Sequence, residues 1–208
     1  MTERPIIFSA PMVKAILEGR KTQTRRILKN QHPRVIPGGP VYDAVGGQMD
    51  YVESEHDFGT LPYAVGDLLW VREAWRAEAR FDKMPMAVKP TGALVSYEAD
   101  YDYEPNDGCR GRLRPSIHMP RWASRITLRV TEVRVQRLQD ISEEDAKAEG
   151  AKAVGYIDEN DVGCRSYVEG FARIWTSIHG PGAWEANPWV AAISFERIPL
   201  TQKENSDD

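Results

Sequence analysis

The sequence predicts a mixed α+β domain with a small, bent sheet and a few peripheral helices. Three observations predict it. Residues 68–72, 125–138 and 189–198 carry strand-like apolar patterns. In the second of these the apolar parity changes: Ile126, Leu128 and Val130 share one face, Val133 and Val135 the other. A shift near Thr131-Glu132 implies a bulge or sharp bend, as a small closed barrel needs. Helical patterns are few and do not alternate regularly with strands, which argues against a doubly wound parallel sheet.

The elements follow in chain order. Ser9 is a candidate N-cap, Pro11 suits a first helical turn, and Gly19 can take the left-handed stop. Met12, Val13, Ile16 and Leu17 form the apolar face between them. The threonines of Lys21-Thr22-Gln23-Thr24 alternate, which suits an extended segment. Residues 33–63 are rich in Gly and Pro and read as a long irregular loop, with Val41-Tyr42 and Tyr51-Val52 pairing around Gly46-Gly47. After Gly66-Asp67, the run Leu68–Arg72 reads as a strand buried on both faces, and Ala93–Tyr97 as another strand. Residues 98–122 read as a second long loop. The capping serine Ser142, with Glu143, Glu144 and Asp145 in the first turn, opens a short helix that Gly150 closes. A longer helix places Tyr167, Phe171, Ile174, Trp175 and Ile178 on one stripe. The final strand sets Trp189, Ala191, Ile193 and Phe195 on one face.

The chain has 208 residues and a mass of 23.5 kDa. That suits one domain, set at residues 1–200, with a polar tail at 201–208 expected to be disordered. No apolar run approaches the roughly 18 residues of a membrane span, and no secretory signal is seen. Two cysteines make no disulfide framework, so the expected setting is reduced and cytoplasmic. Cys109, His118, Cys164 and His179 lack close ligand spacing, so neither metal nor cofactor is expected. There is no Walker loop and no G-x-G-x-x-G.

With 27 basic and 31 acidic residues, the net charge of −4 argues against nucleic-acid binding by bulk charge. The charge is patterned, however. Residues 20–34 carry Arg20, Lys21, Arg25, Arg26, Lys29 and Arg34 and no acid, and residues 110–137 carry eight arginines against Glu132 alone. A basic groove for an anionic ligand or short strand is one reading; salt-bridged surface arginines are the other. In the first cluster, Lys21 lies three residues from Thr24. A lysine with a depressed pKa could act as base toward that hydroxyl, or the cluster could contact only phosphates or the protein's own acids. Aromatic residues beside cations or amides suit base stacking: Trp75 next to Arg72 and Arg76, and Trp184 near Asn187. Trp70, Trp175 and Trp189 lie on apolar stripes and read as core.

At Gly19-Arg20-Lys21-Thr22-Gln23-Thr24-Arg25-Arg26 the chain resembles the ASCH-domain family, whose motif G-x-K-x-x-x-x-R is met by Gly19, Lys21 and Arg26. The preceding helix, the Val65-Gly66-Asp67 strand entry and the short Ser142–Gly150 helix agree with it. Ile117–Trp122 and Asn187–Val190 make it similar to ASCH proteins carried by phages and prophages. The resemblance implies a PUA-like β-barrel with two insertions, at 33–63 and 98–122. It also implies a function: recognition of RNA, single-stranded nucleic acid or a modified nucleobase or nucleoside through a basic cleft. The ligand-binding residues would be Arg20, Arg25, Arg26, Arg72, Trp75, Arg76, Trp184 and Asn187. The alternative is the metal-independent amidohydrolase of small bacterial members, which cleave N(4)-acetylcytidine; Lys21 and Thr24 match their lysine and threonine, and Glu149 their glutamate. Ribonuclease activity and a phage assembly role are further alternatives.

Overall fold

A computed structural model of the chain describes residues 2–32, 34–36, 40–42, 48–51, 55–58, 61–85, 91–101, 110–157 and 163–199. The chain opens with β1 (Glu3–Ile7), α1 (Ala10–Leu17) and β2 (Gln23–Ile27). Four short strands follow: β3 (Arg34–Ile36), β4 (Pro40–Tyr42), β5 (Gln48–Tyr51) and β6 (Glu55–Asp57). Next come β7 (Leu68–Arg72), β8 (Trp75–Ala77), β9 (Val95–Tyr97) and the long β10 (Thr127–Arg137). The last elements are α2 (Glu143–Ala148), β11 (Val154–Ile157), β12 (Gly163–Ser166), α3 (Tyr167–His179) and β13 (Trp189–Ile198).

The fold is mixed α+β, with a five-stranded sheet ordered β1-β7-β10-β13-β2. β1 runs parallel to β7, and the other neighbours are antiparallel. β10 changes register against β13 between Val130 and Glu132, where the apolar parity shifts. The bulge inserts one residue, so Leu128 and Val130 before it and Val133 and Val135 after it all face the core of Phe195, Ile193 and Ala191. The bend does not close a barrel, because among the described residues no ladder joins the edge strands β1 and β2. A side chain spans the gap instead: Arg26 Nη2 donates to the Ile7 carbonyl at 2.7 Å.

Both faces of β13 are buried. Ala191, Ile193 and Phe195 join Val13 and Ile16 of α1 in one core, while Val190 joins Phe171 and Trp175 of α3 in another. α1 and α3 therefore cover opposite faces of the sheet and approach each other at the free edge of β2. Ser9 does occupy the N-cap of α1, and Gly19 turns the chain at φ 75°.

Several expectations need correction. β1 follows no apolar alternation and was not anticipated. β7 is not buried evenly: Leu69 and Val71 are buried, whereas Leu68, Trp70 and Arg72 are half-buried. Residues 33–63 are not simply a loop, since β3 pairs with β6 and β4 with β5. The anticipated Val41-Tyr42 pairing is present, opposite Gln48–Tyr51; Val52, Gly46 and Gly47 lie outside the described residues. The second insertion also carries structure. Arg110 and Arg114 bridge to Glu78 and Trp75, and Met119 and Ala123 pack with Trp75 in a third core. The tail 201–208 lies outside the described residues. Among the described residues no helix is long and apolar enough to cross a membrane.

Candidate functional site

The site begins where α1 ends. Arg20 and Lys21 both donate their backbone N–H to the Ala15 carbonyl, at 2.9 and 3.0 Å, which folds the chain back beneath the helix. Thr22 N–H donates to the Ala148 carbonyl at 2.8 Å, and a single antiparallel bridge pairs Lys21 with Glu149. The edge of the sheet is thus tied to the end of α2. α2 starts where the sequence predicts: the Ser142 hydroxyl accepts from Asp145 N–H at 3.0 Å. It stops at Gly150, φ 83°. A Cβ at Gly150 would lie 3.2 Å from both Ala15 Cβ and Lys21 Cβ. Glycine therefore serves twice, taking the left-handed turn and admitting Lys21 close to the helix end.

The Lys21 side chain is fully buried. Its ammonium donates to Glu149 Oε2 at 2.6 Å, to the Glu149 carbonyl at 2.9 Å and to the Gln23 carbonyl at 2.8 Å. These three bonds use all the donors an ammonium has. Burial pulls the Lys21 pKa below the ordinary lysine value, and the Glu149 carboxylate opposes the shift only in part. Arg25, also fully buried, donates to Glu149 Oε1 at 3.2 Å and to Asp145 Oδ2 at 2.9 Å. One carboxylate, Glu149, thereby faces two buried cations. Asp145 is shared in turn by Arg25, by Gln23 at 3.1 Å and by Arg134 at 3.0 Å. Burial pushes the Asp145 carboxyl up, but hydrogen bonds from Gln23 and Arg134 and the nearby guanidinium charges outweigh it, leaving its pKa below the usual range.

Of the predicted catalytic set, Lys21 and Glu149 are brought into contact. Thr24 is buried on β2 opposite Ile193, on the other face from Gln23 and Arg25. No hydrogen bond joins it to Lys21 among the described residues.

A cleft of about 230 Å³ opens above the pair. Its floor is Glu149 and Gly150. One wall is Ser9, Met12 and Ala15 at the start of and along α1, and the other is Phe171, Ile174 and Ile178 of α3. Glu149 is the charged residue in this apolar setting.

The remaining predicted ligand residues scatter. Arg20 pairs with Glu18 at the surface. Arg26 bridges the two sheet edges. Arg72 is half-buried and donates to the Met119 carbonyl at 3.1 Å. Arg76 lies 4.0 Å from Glu98. Trp75 is fully buried, edge-on to Trp122 at 5.6 Å, and is not a stacking platform. Burying roughly 200 Å² of indole at about 25 cal/mol/Å² stabilises by at most about 5 kcal/mol, so its role is in the fold. Trp70, expected in the core, is instead half-buried, with Arg72 and Arg121 over its ring at 5.4 and 5.9 Å. Trp184 packs edge-on against Phe171. Asn187 sits at φ 41°, and its side-chain oxygen accepts from Gln139 N–H at 2.9 Å, which makes it a turn residue rather than a base reader. In the second arginine cluster, Arg114, Arg121, Arg125, Arg129 and Arg134 have carboxylate partners, so this stretch forms ion pairs rather than an open basic groove. Among the described residues no group of three His, Cys, Asp or Glu could hold a metal; Cys109 lies outside them.

Gln23, Asp145, Phe8 and Phe171 were missed. The Lys21 ammonium and Arg26 guanidinium lie 5.7 and 5.3 Å from the Phe8 ring, and Arg25 lies 5.7 Å from Phe171. The alternation along β2 carried the signal for Gln23 and Arg25. A strand that sends Thr24 and Arg26 to one face sends Gln23 and Arg25 to the other, toward the acids of α2.

The chain matches no family model and no curated protein. Among solved structures, it is similar to protein EF3133 from Enterococcus faecalis V583, assigned to the family DUF984. The TM-score is 0.38 and the identity 13%, over 95% of this chain and 80% of that one. A likeness at this level carries no argument about fold or function.

Proposed function

We propose that the protein binds a nucleobase or nucleoside, free or within single-stranded nucleic acid, in the cleft between α1 and α3, on a PUA-like fold of the ASCH type. One observation carries this reading: a pocket of about 230 Å³ walled by apolar side chains and Phe171, with Glu149 in its floor. Flat heterocycles bury their faces against such walls. A carboxylate accepts a hydrogen bond from an exocyclic amine, as on cytosine. The test is calorimetric titration of cytidine and N(4)-acetylcytidine into wild type and Ile174→Trp, which fills the cleft. Binding by wild type that disappears in the variant is expected. Equal binding by both would place the ligand elsewhere.

A second reading, hydrolysis of an acylated cytidine, is favoured by the contact between Lys21 and Glu149. Burial lowers the lysine pKa, and a carboxylate at 2.6 Å is placed to take its proton. The neutral amine would then accept the proton of the Thr24 hydroxyl as that oxygen attacks the acyl carbon. The C–N bond breaks, the amine leaves protonated, and water cleaves the resulting ester. Lys21 must first release one of its three acceptors and turn toward Thr24. Wild-type turnover of N(4)-acetylcytidine that is absent in Lys21→Ala would support this chemistry; turnover surviving in a folded Lys21→Ala protein would exclude it.

A further inference from the structure

The gap between the two sheet edges holds a second cavity, separate from the α1–α3 cleft. Its volume is about 620 Å³, within the range of small-molecule sites. Arg4 and Pro5 of β1 line one side, and Arg26, Ile27, Leu28 and Lys29 line the other. Phe58, Leu61, Pro62 and Tyr63 cover it. The lining holds three cations and no carboxylate among the described residues, and Asp67 stands 3.9 Å behind Arg4. Two aromatic rings sit beside those cations.

Two contacts tie the rim to the sheet. Arg4 donates to the Pro62 carbonyl at 3.0 Å, which holds the cation against the 61–63 wall. Phe58 lies edge-on to Trp189 at 4.9 Å, so its ring is held by the strand beneath. Arg26 is committed through Nη2 to the Ile7 carbonyl, yet its Nε is buried without a hydrogen-bond partner. Lys29, just beyond β2, is exposed.

We propose that this inter-edge cleft binds a nucleotide, its ring against Tyr63 and Phe58 and its phosphate between Arg4 and Lys29. Cations recognise the phosphate, and aromatic faces accept any base. The nucleotide could be a free monophosphate or one unit of a single strand. The site does not depend on the reading of the α1–α3 cleft.

The test is calorimetric titration of 5′-CMP, cytidine and inorganic phosphate into the full chain at low salt, followed by a hexamer of uridylate. Wild type is expected to bind 5′-CMP more tightly than either cytidine or phosphate. Lys29→Glu is expected to weaken 5′-CMP about tenfold, and Lys29→Gln by less, because a charge-assisted contact is lost in both and a repulsion added in one. In Ile174→Trp, where the α1–α3 cleft is filled, 5′-CMP is expected still to bind and to keep its sensitivity to Lys29→Glu. Added salt should weaken the hexamer more than the monomer if a strand is held; equal sensitivity with equal affinity assigns the site to the free nucleotide. No binding of 5′-CMP at millimolar concentration, or equal affinity in wild type and Lys29→Glu, overturns the proposal. Loss of 5′-CMP binding in Ile174→Trp alone also overturns it, by assigning the nucleotide to the α1–α3 cleft.

Discussion

Glu149 is expected to matter more to stability than Lys21, although each is one half of the same ion pair. The Glu149 carboxylate, 4% exposed, faces Lys21 at 2.6 Å and Arg25 at 3.2 Å, and both cationic side chains are 0% exposed. Glu149→Gln removes the charge that offsets both. Lys21 then keeps two carbonyls and an amide oxygen, and Arg25 keeps Asp145. Removing one partner of a buried pair costs about 3–5 kcal/mol, and the retained acceptors put this case near about 3 kcal/mol. For a chain of this length that is a fall in Tm of roughly 10 °C. Lys21→Met differs, because Glu149 still has Arg25 and the methionine fills the space with apolar atoms. Replacing a buried charge this way costs little when its partner stays compensated, so about 1 kcal/mol is expected. Urea unfolding followed by circular dichroism measures both. If Lys21→Met loses as much stability as Glu149→Gln, the view of Glu149 as the shared counter-charge of two cations is wrong.

Two further predictions follow from the same geometry. Burial holds the folded-state pKa of Lys21 below its ordinary value near 10.5. Between those two values the unfolded chain binds the extra proton, so wild type should gain stability relative to Lys21→Met as pH rises through that window and stop gaining above about 10.5; a urea midpoint difference that stays flat from neutral pH to pH 10.5 would contradict the lowered pKa. Gly170→Ala should be severely destabilising, because a Cβ there would sit 2.0 Å from the Lys152 carbonyl oxygen, a backbone atom that cannot move without lifting α3. An overpacking cost of about 3 kcal/mol or more is expected, and a thermal midpoint within a degree of wild type would show that α3 sits elsewhere.

Much of the frame was legible in the sequence because it rests on local chemistry. The parity shift at Thr131-Glu132 located the β10 bulge to the residue, and Ser142 with Gly150 bracketed α2. β1 escaped because Glu3–Ile7 has Pro5 in its middle and buries only Ile6, which leaves no periodicity to read. The two tryptophans were exchanged for a similar reason. Trp70 lies in an apolar run, yet alternation within β7 turns it to the half-buried face; Trp75 is flanked by charges, yet a strand neighbour and the 110–123 segment enclose it. In the site, the resemblance to the small hydrolases, not spacing, pointed to Lys21, Thr24 and Glu149. It did not reveal Asp145, because the contact joins β2 to a helix 120 residues later, and only the fold brings such residues together.

The arginine that spans the sheet gap has a consequence for the protein in a crowded solution. Among the described residues, β1 and β2 each carry a row of backbone groups that no neighbouring strand pairs, and exposed rows of this kind recruit strands from other molecules. In this fold the two rows face each other across one guanidinium, and Pro5 interrupts the first of them. Each edge screens the other. Arg26 thereby occupies the Ile7 carbonyl, an acceptor that a strand of another molecule would otherwise find open.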